Sequence, residues 1–283
     1  MDRGSSAGHS NSGHALTHAQ RAMALARQAT GVAPVGIEHI VHDSYSHLTY
    51  KVCFDAPPHA VAVQFAKRSP DSVATSAAVL GLLADSLAVP EVLHLETGHE
   101  PALVTTWLKG QSLKRILPHL PREDQASLAR TVAETAASIW SRRFPVSGTI
   151  GASLAIRPRP ASLPDCVEAQ VHDQLFHSPG GRALGSAARD RLWALWQRVR
   201  PAIAAEVGQH TCLVHGDLAA RNLLVHRPDR GGWRISVLDW EFAVSGSPLT
   251  DVGHLPATPL PVHARRLPQH SRARPCRARR ART

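Results

Sequence analysis

The stretch Leu213-Val214-His215-Gly216-Asp217-Leu218-Ala219-Ala220-Arg221-Asn222-Leu223-Leu224-Val225, followed by Ile235-Ser236-Val237-Leu238-Asp239-Trp240-Glu241, governs the interpretation of this 283-residue chain. Its first half sets an Asp and an Asn five positions apart in a short loop between apolar runs. Its second half ends an apolar run in another Asp. The runs Leu213-Val214, Leu223 to Val225 and Ile235 to Leu238 predict short strands that hold the loop rigid. Three oxygen-bearing side chains are thereby expected where strands end. Phosphoryl transfer from a magnesium nucleotide needs that arrangement, because it asks for positioning and charge neutralisation rather than covalent chemistry by the protein. Asp217 suits the group that orients and deprotonates a hydroxyl. Asn222 and Asp239 suit the hard-oxygen donors that hold Mg2+. Loop Asp and Asn are also common for local hydrogen-bonding reasons, and H-x-D-x-x-x-x-N alone would be a weak signal. The turn Pro228-Asp229-Arg230-Gly231-Gly232 and the strand ending in Asp239 make the combination specific.

These residues resemble those of the aminoglycoside phosphotransferase and choline kinase-like family. His215-Gly216-Asp217 to Asn222 matches its H-[GS]-D-x-x-x-x-N, and Val237-Leu238-Asp239-Trp240-Glu241 its [IV]-[LI]-D-W-E. Gly246-Ser247-Pro248-Leu249-Thr250-Asp251-Val252-Gly253 matches its G-x-P-x-x-D-x-G. The resemblance is close over residues 212–254 and looser over 35–150. It implies an α+β, two-lobed protein-kinase-like fold with a small antiparallel β lobe and a helix-rich lobe. It implies Asp217 as catalytic base, Asn222 and Asp239 as metal ligands, and His215, Glu241 and Asp251 as supporting groups. Glu241 either assists the metal region or is a structural carboxylate; Asp251 braces the loop. ATP, or GTP in its place, and Mg2+ are the implied cofactors. The implied acceptor is a small-molecule hydroxyl, with antibiotic resistance as the consequence if the molecule is an aminoglycoside. The run Asp217-Leu-Ala-Ala-Arg221-Asn222 also looks like the catalytic loop of tyrosine kinases. Gly216 stands where those enzymes carry Arg, and Asp239 is followed by Trp240-Glu241 rather than Phe-Gly. Both departures favour the small-molecule branch.

The lobes are read from pattern. Residues 1–13 are rich in Ser, Gly and His, a composition that predicts disorder. Residues 14–104 predict a leading helix over 14–30, strands in Ile37 to Val41, Leu48 to Phe54 and Ala60 to Phe65, a helix over 71–87, and strands after Pro90 and at Ala102 to Thr105. Residues 105–255 predict a helical catalytic lobe with long helices over 122–143 and 186–207. The connector Thr105-Thr106-Trp107-Leu108 would offer backbone groups to a purine, although Trp107 also suits plain core. Ser44 and Ser46, in the first turn of the small lobe, are placed beside phosphate by position alone, since no G-x-G-x-x-G is present.

Two departures bear on activity. Aligning Ala60 to Phe65 with the family's third strand puts Gln64 where a basic residue grips phosphate. Aligning the following helix puts Ser76 where its Glu partner stands. Losing both members of an ion pair is coherent, because losing one would leave a buried charge unpaired. Lys67 and Arg68 lie past the strand end and read as a solvated turn. The second departure is residues 256–283, which contain no Gly, Ile, Phe, Tyr, Trp, Met, Asn, Lys, Asp or Glu. That abrupt shift suits a GC-rich coding sequence read out of frame, and predicts a truncated family member. The alternatives are a catalytically impaired remnant and a basic arm that binds nucleic acid. The arm lacks the aromatic residues that stack on bases.

Composition fits this reading. Eight arginines of residues 255–283, with no acidic residue beside them, account for all but two of the net charge of +10, so the body is nearly balanced. No apolar run reaches membrane-spanning length, and the start, Met1 to Ser6, lacks a signal-peptide core, which predicts a cytoplasmic protein. Cys53, Cys166, Cys212 and Cys276 form no C-x-x-C pair and are expected to be reduced and isolated. No membrane partner is expected, and nucleic acid is disfavoured.

Overall fold

The computed structural model describes residues 17–40, 47–67, 69–158, 163–207, 210–228 and 231–255. The disordered start expected over 1–13, the turn carrying Ser44 and Ser46, and the arginine-rich tail lie outside them.

Small-lobe strands β1 (Gly36–Ile40), β2 (His47–Cys53) and β3 (Ala60–Ala66) form consecutive antiparallel pairs. The sheet is completed by β4 (Val92–Glu96) and β5 (Ala102–Thr106) in the order β1-β2-β3-β5-β4. Strand β3 alternates strictly: Val61, Val63 and Phe65 are buried, while Ala62, Gln64 and Ala66 face the other way. The buried set packs with Val52 and Val104 against Ala22, Leu25 and Ala26 of helix α1 (His18–Thr30). Thr17 and Gln20 close a capping box at the start of α1, and Gly31 ends it at φ 72°. The helix thus begins at His18 rather than at residue 14.

The opposite face of the sheet carries α2 (Asp71–Leu83), which ends before the predicted residue 87. Val79, Leu80 and Leu83 join a second core with Leu103 of β5 and with the large lobe. An apolar helix shared between both lobes couples them through buried area.

The large lobe begins with β6 (Gln111–Ser112), α3 (Leu113–Ile116) and α4 (Arg122–Trp140). It continues through β7 (Gly148–Ile150), β8 (Ile156–Arg157), α5 (Leu163–Phe176), α6 (Pro179–Ala183) and α7 (Ser186–Val207). The expected catalytic strands are β9 (Cys212–Val214), β10 (Leu223–His226) and β11 (Arg234–Val237), followed by β12 (Val244–Gly246) and α8 (Leu249–His254). Strand β10 lies between β11 and β6, and β9 pairs with β12. This is the expected α+β plan of a small antiparallel sheet lobe and a helix-rich lobe. Among the described residues, no helix is long and apolar enough to cross a membrane.

Candidate active site

Leu213 and Val214 are fully buried in β9, so the chain emerges at His215 from a rigid floor. Gly216 follows at φ 81°, and a Cβ there would lie 2.3 Å from the Phe242 carbonyl oxygen. Only glycine permits that turn and that approach. A short 3-10 turn, Ala220–Asn222, closes the loop, and Leu238 N–H donates to the Asn222 carbonyl at 2.9 Å. Asp239 is thereby fastened beside Asn222 by main chain. It adopts φ 68° and ψ 65°, a left-handed conformation for which Asp is one of the more tolerant side chains.

Asp251, which is fully buried, holds the loop from behind. Its Oδ2 accepts from His215 N–H at 2.9 Å and from Trp140 Nε1 at 3.0 Å, and its Oδ1 from Gly216 N–H at 2.9 Å. His215 Nε2 lies 2.8 Å from the Leu238 carbonyl, and its Nδ1 accepts from the Asp217 amide at 3.2 Å. Those partners define a neutral ring protonated at Nε2. Burial lowers the His215 pKa, outweighing the opposing charges of Asp251, Asp239 and Asp217. Trp240 covers the ring, 4.5 Å between centroids.

Asp217 is mostly covered. Arg221 Nη2 donates to both of its oxygens at 2.6 Å, and Asn222 Nδ2 donates to its Oδ2 at 2.9 Å and to its carbonyl at 2.8 Å. With its amide nitrogen committed there, Asn222 keeps Oδ1 as a donor atom for a hard cation. That orientation, with the carboxylate of Asp239, fits Mg2+.

His47, at the start of β2, was not anticipated. It is buried, with Nδ1 3.3 Å from Asp239 Oδ1, and Nε2 3.2 Å from Ser72 Oγ and 3.4 Å from Glu241 Oε2. The imidazole bridges β2, α2 and the segment after β11. Burial alone would lower its pKa, but the hydrogen bond to Asp239 and the charges of Glu241 and Asp239 raise it above 6.5. His47, Asp239 and Glu241 place one ligand atom each within 4.8 Å of one another, so the three could also hold a metal. One histidine among eighteen, with no partner pattern nearby in sequence, carried no signal; its partner Asp239 is 192 positions away, with Glu241 just beyond.

The residues expected to bind nucleotide that the structure describes lie in β3, at the end of β5 and in the connector after it. Gln64 sits in β3 opposite Thr49 and Leu103, on the face that does not contact α1. Thr105 is 4% exposed inside β5, between Ala62 and Val92, so the connector begins at Trp107 rather than at Thr105. Trp107 is half-buried rather than plain core, with Lys51 Nζ 5.0 Å from its ring centroid. Leu108 follows it in the connector. Ser76 is buried and, among the described residues, its hydroxyl has no hydrogen-bond partner. Lys67 is exposed past the end of β3, the solvated turn expected.

A model of the phosphotransferase enzyme family matches residues 39–281. The chain belongs to that family. Solved structures repeat the fold: the GDP complex of aminoglycoside 2'-phosphotransferase-IIIa aligns at TM-score 0.65 and 15% identity, over 86% of this chain and 79% of that one. A GDP and kanamycin complex of a 2''-phosphotransferase aligns at TM-score 0.63 and 18% identity, over 83% and 77%. The aminoglycoside phosphotransferase APH(4)-Ia with ADP and hygromycin B aligns at 0.56 and 18%, over 82% and 75%. No match was found among curated proteins. The phosphotransferase family member thus has the two-lobed, kinase-like architecture that its catalytic segment implied.

Proposed function

We propose that this family member transfers the γ-phosphate of ATP, or of GTP, to a hydroxyl of a small polar molecule, an aminoglycoside-like or other alcohol. The observation that carries this reading is the convergence of Asp217, Asn222 and Asp239 through main-chain and side-chain bonds of one loop. Asp217 acts as the base: one carboxylate oxygen orients the acceptor hydroxyl and takes its proton as the oxygen attacks phosphorus. Asn222 and Asp239 would hold Mg2+, which when bound offsets the negative charge of the phosphates. The nucleotide would occupy the cleft between the lobes, with Gln64 on the phosphate side and Trp107 and Leu108 on the base side. His215 and Asp251 position the loop without touching substrate, and Glu241 holds His47 against Asp239.

Turnover of Mg-ATP with a panel of aminoglycosides, choline and homoserine tests the proposal. Asp217→Ala is expected to lower turnover about 100-fold or more; near-normal phosphorylation by that variant refutes the base assignment. Asp239→Ala is expected to abolish the thermal stabilisation by Mg-ATP, and unchanged stabilisation refutes the ligand assignment. A second reading, a remnant that binds nucleotide with impaired turnover, is favoured by neutral Gln64 and the unpartnered Ser76 hydroxyl. Stabilisation by Mg-ATP without phosphate transfer to any acceptor would select it.

A further inference from the structure

Arg221 occupies the solvent side of Asp217. Its side chain is 47% exposed, that of Asp217 only 13%, and one guanidinium nitrogen lies 2.6 Å from both carboxylate oxygens. His254 adds a second basic side chain there, with Nδ1 3.6 Å from Asp217 Oδ1. The route by which a hydroxyl reaches Asp217 is therefore bordered by Arg221 and His254. The remaining carboxylates of the site face partners of their own. Asp239 and Glu241 meet His47, and Asp251 is buried among three donors. Among the described residues, the permanent charge bordering this route is the Arg221 guanidinium, which would repel an ammonium group and receive an anion.

We infer that Arg221 is a specificity-determining residue that selects acceptors carrying a carboxylate or similar anion beside the reacting hydroxyl, and disfavours polycationic acceptors. This rests on the phosphotransferase reading. A planar guanidinium pairs with a carboxylate through two parallel N–H donors, so an acceptor's anion can take over the bonds that Arg221 makes to Asp217. The exchange keeps Arg221 neutralised and frees one Asp217 oxygen for the hydroxyl. The acceptor oxygen then bonds to the γ-phosphorus, and the bond to the bridging oxygen breaks. The electron pair leaves with the nucleoside diphosphate, and the hydroxyl proton goes to Asp217. A cationic acceptor offers no replacement partner and meets Arg221 as a like charge.

Binding of D-glycerate, glycerol and choline to the full chain, by calorimetry with and without Mg2+ and a non-hydrolysable ATP analogue, tests the inference. Glycerate is expected to bind about tenfold or more tighter than glycerol, the worth of one charged hydrogen-bonding pair, and choline weaker than glycerol. Arg221→Gln is expected to collapse the glycerate preference to about twofold, and Arg221→Lys to retain part of it because the charge survives without the fork. Melting temperatures close to wild type verify that both variants fold. Tighter binding of choline than of glycerate overturns the inference, as does a preference that survives Arg221→Gln or no binding by any of the three probes. Arg221-dependent glycerate binding without phosphate transfer defeats the catalytic reading and leaves anion selection standing.

Discussion

Asp251 and Ser76 are both buried polar residues, and the molecule treats them oppositely. Asp251 accepts hydrogen bonds from two loop amides and an indole, tying β9, α4 and α8 into one support for the loop that carries Asp217 and Asn222. Ser76 is buried in α2, and its hydroxyl has no partner among the described residues. Buried polar groups are normally satisfied, because an unmade bond costs about 1–3 kcal/mol. The large-lobe half of the site is thus over-determined by its own hydrogen bonds. The small-lobe half retains a polar position without the charge pair that the family places there. His47 is the main polar tie between the halves, joining Ser72 of α2 to Asp239 and Glu241.

Three substitutions test this contrast. Asp251→Ala should have the largest effect, since it strands three buried donors: a loss of about 3 kcal/mol or more in urea unfolding, accompanied by loss of activity. A variant of near-native stability would show that the support is redundant.

His215 gives an intermediate, pH-dependent effect. Its neutral ring accepts from the Asp217 amide, so a second ring proton would oppose that N–H. Above its ordinary pKa of 6.5, folded and unfolded states both carry a neutral ring, and its contribution is complete. As pH falls below that value the unfolded chain takes up a proton and the folded chain does not, so stability is lost. The stability gap between wild type and His215→Asn should therefore narrow between about pH 7.5 and pH 5. A gap that widens on acidification would contradict the assigned ring state.

The smallest effect has the opposite sign. Ser76→Ala removes an unpartnered hydroxyl and improves helix propensity, and should raise stability by about 1 kcal/mol. A loss of similar size would reveal a partner for Ser76 and erase the contrast with Asp251.

The segment from β9 to Asp239 was legible because its information is local. Strands β9, β10 and β11 fall on the predicted apolar runs, and Asp217, Asn222 and Asp239 stand at their ends. All five strands of the small sheet were readable for the same reason, three as alternating apolar runs between turn residues and two as short apolar runs after Pro90 and at Ala102 to Thr105. What lay beyond reading was long-range. The α5 and α6 helices and the two-residue strands β6 and β8 carry too few periodic residues to declare themselves. Thr105 could be taken for connector because a strand's last residues are marked by pairing rather than by composition.

The order of residues alone determined the kinase-like lobes and the trio of oxygen donors, since a strand-loop-strand unit positions its own side chains within some thirty positions. Tertiary structure alone decided that His47 reaches Asp239, that Asp251 braces His215 and Gly216, and that Arg221 and His254 both stand over Asp217. Each of these, apart from the four-residue step from Arg221 to Asp217, is a through-space pairing, and such contacts exist only once apolar burial has brought distant segments together.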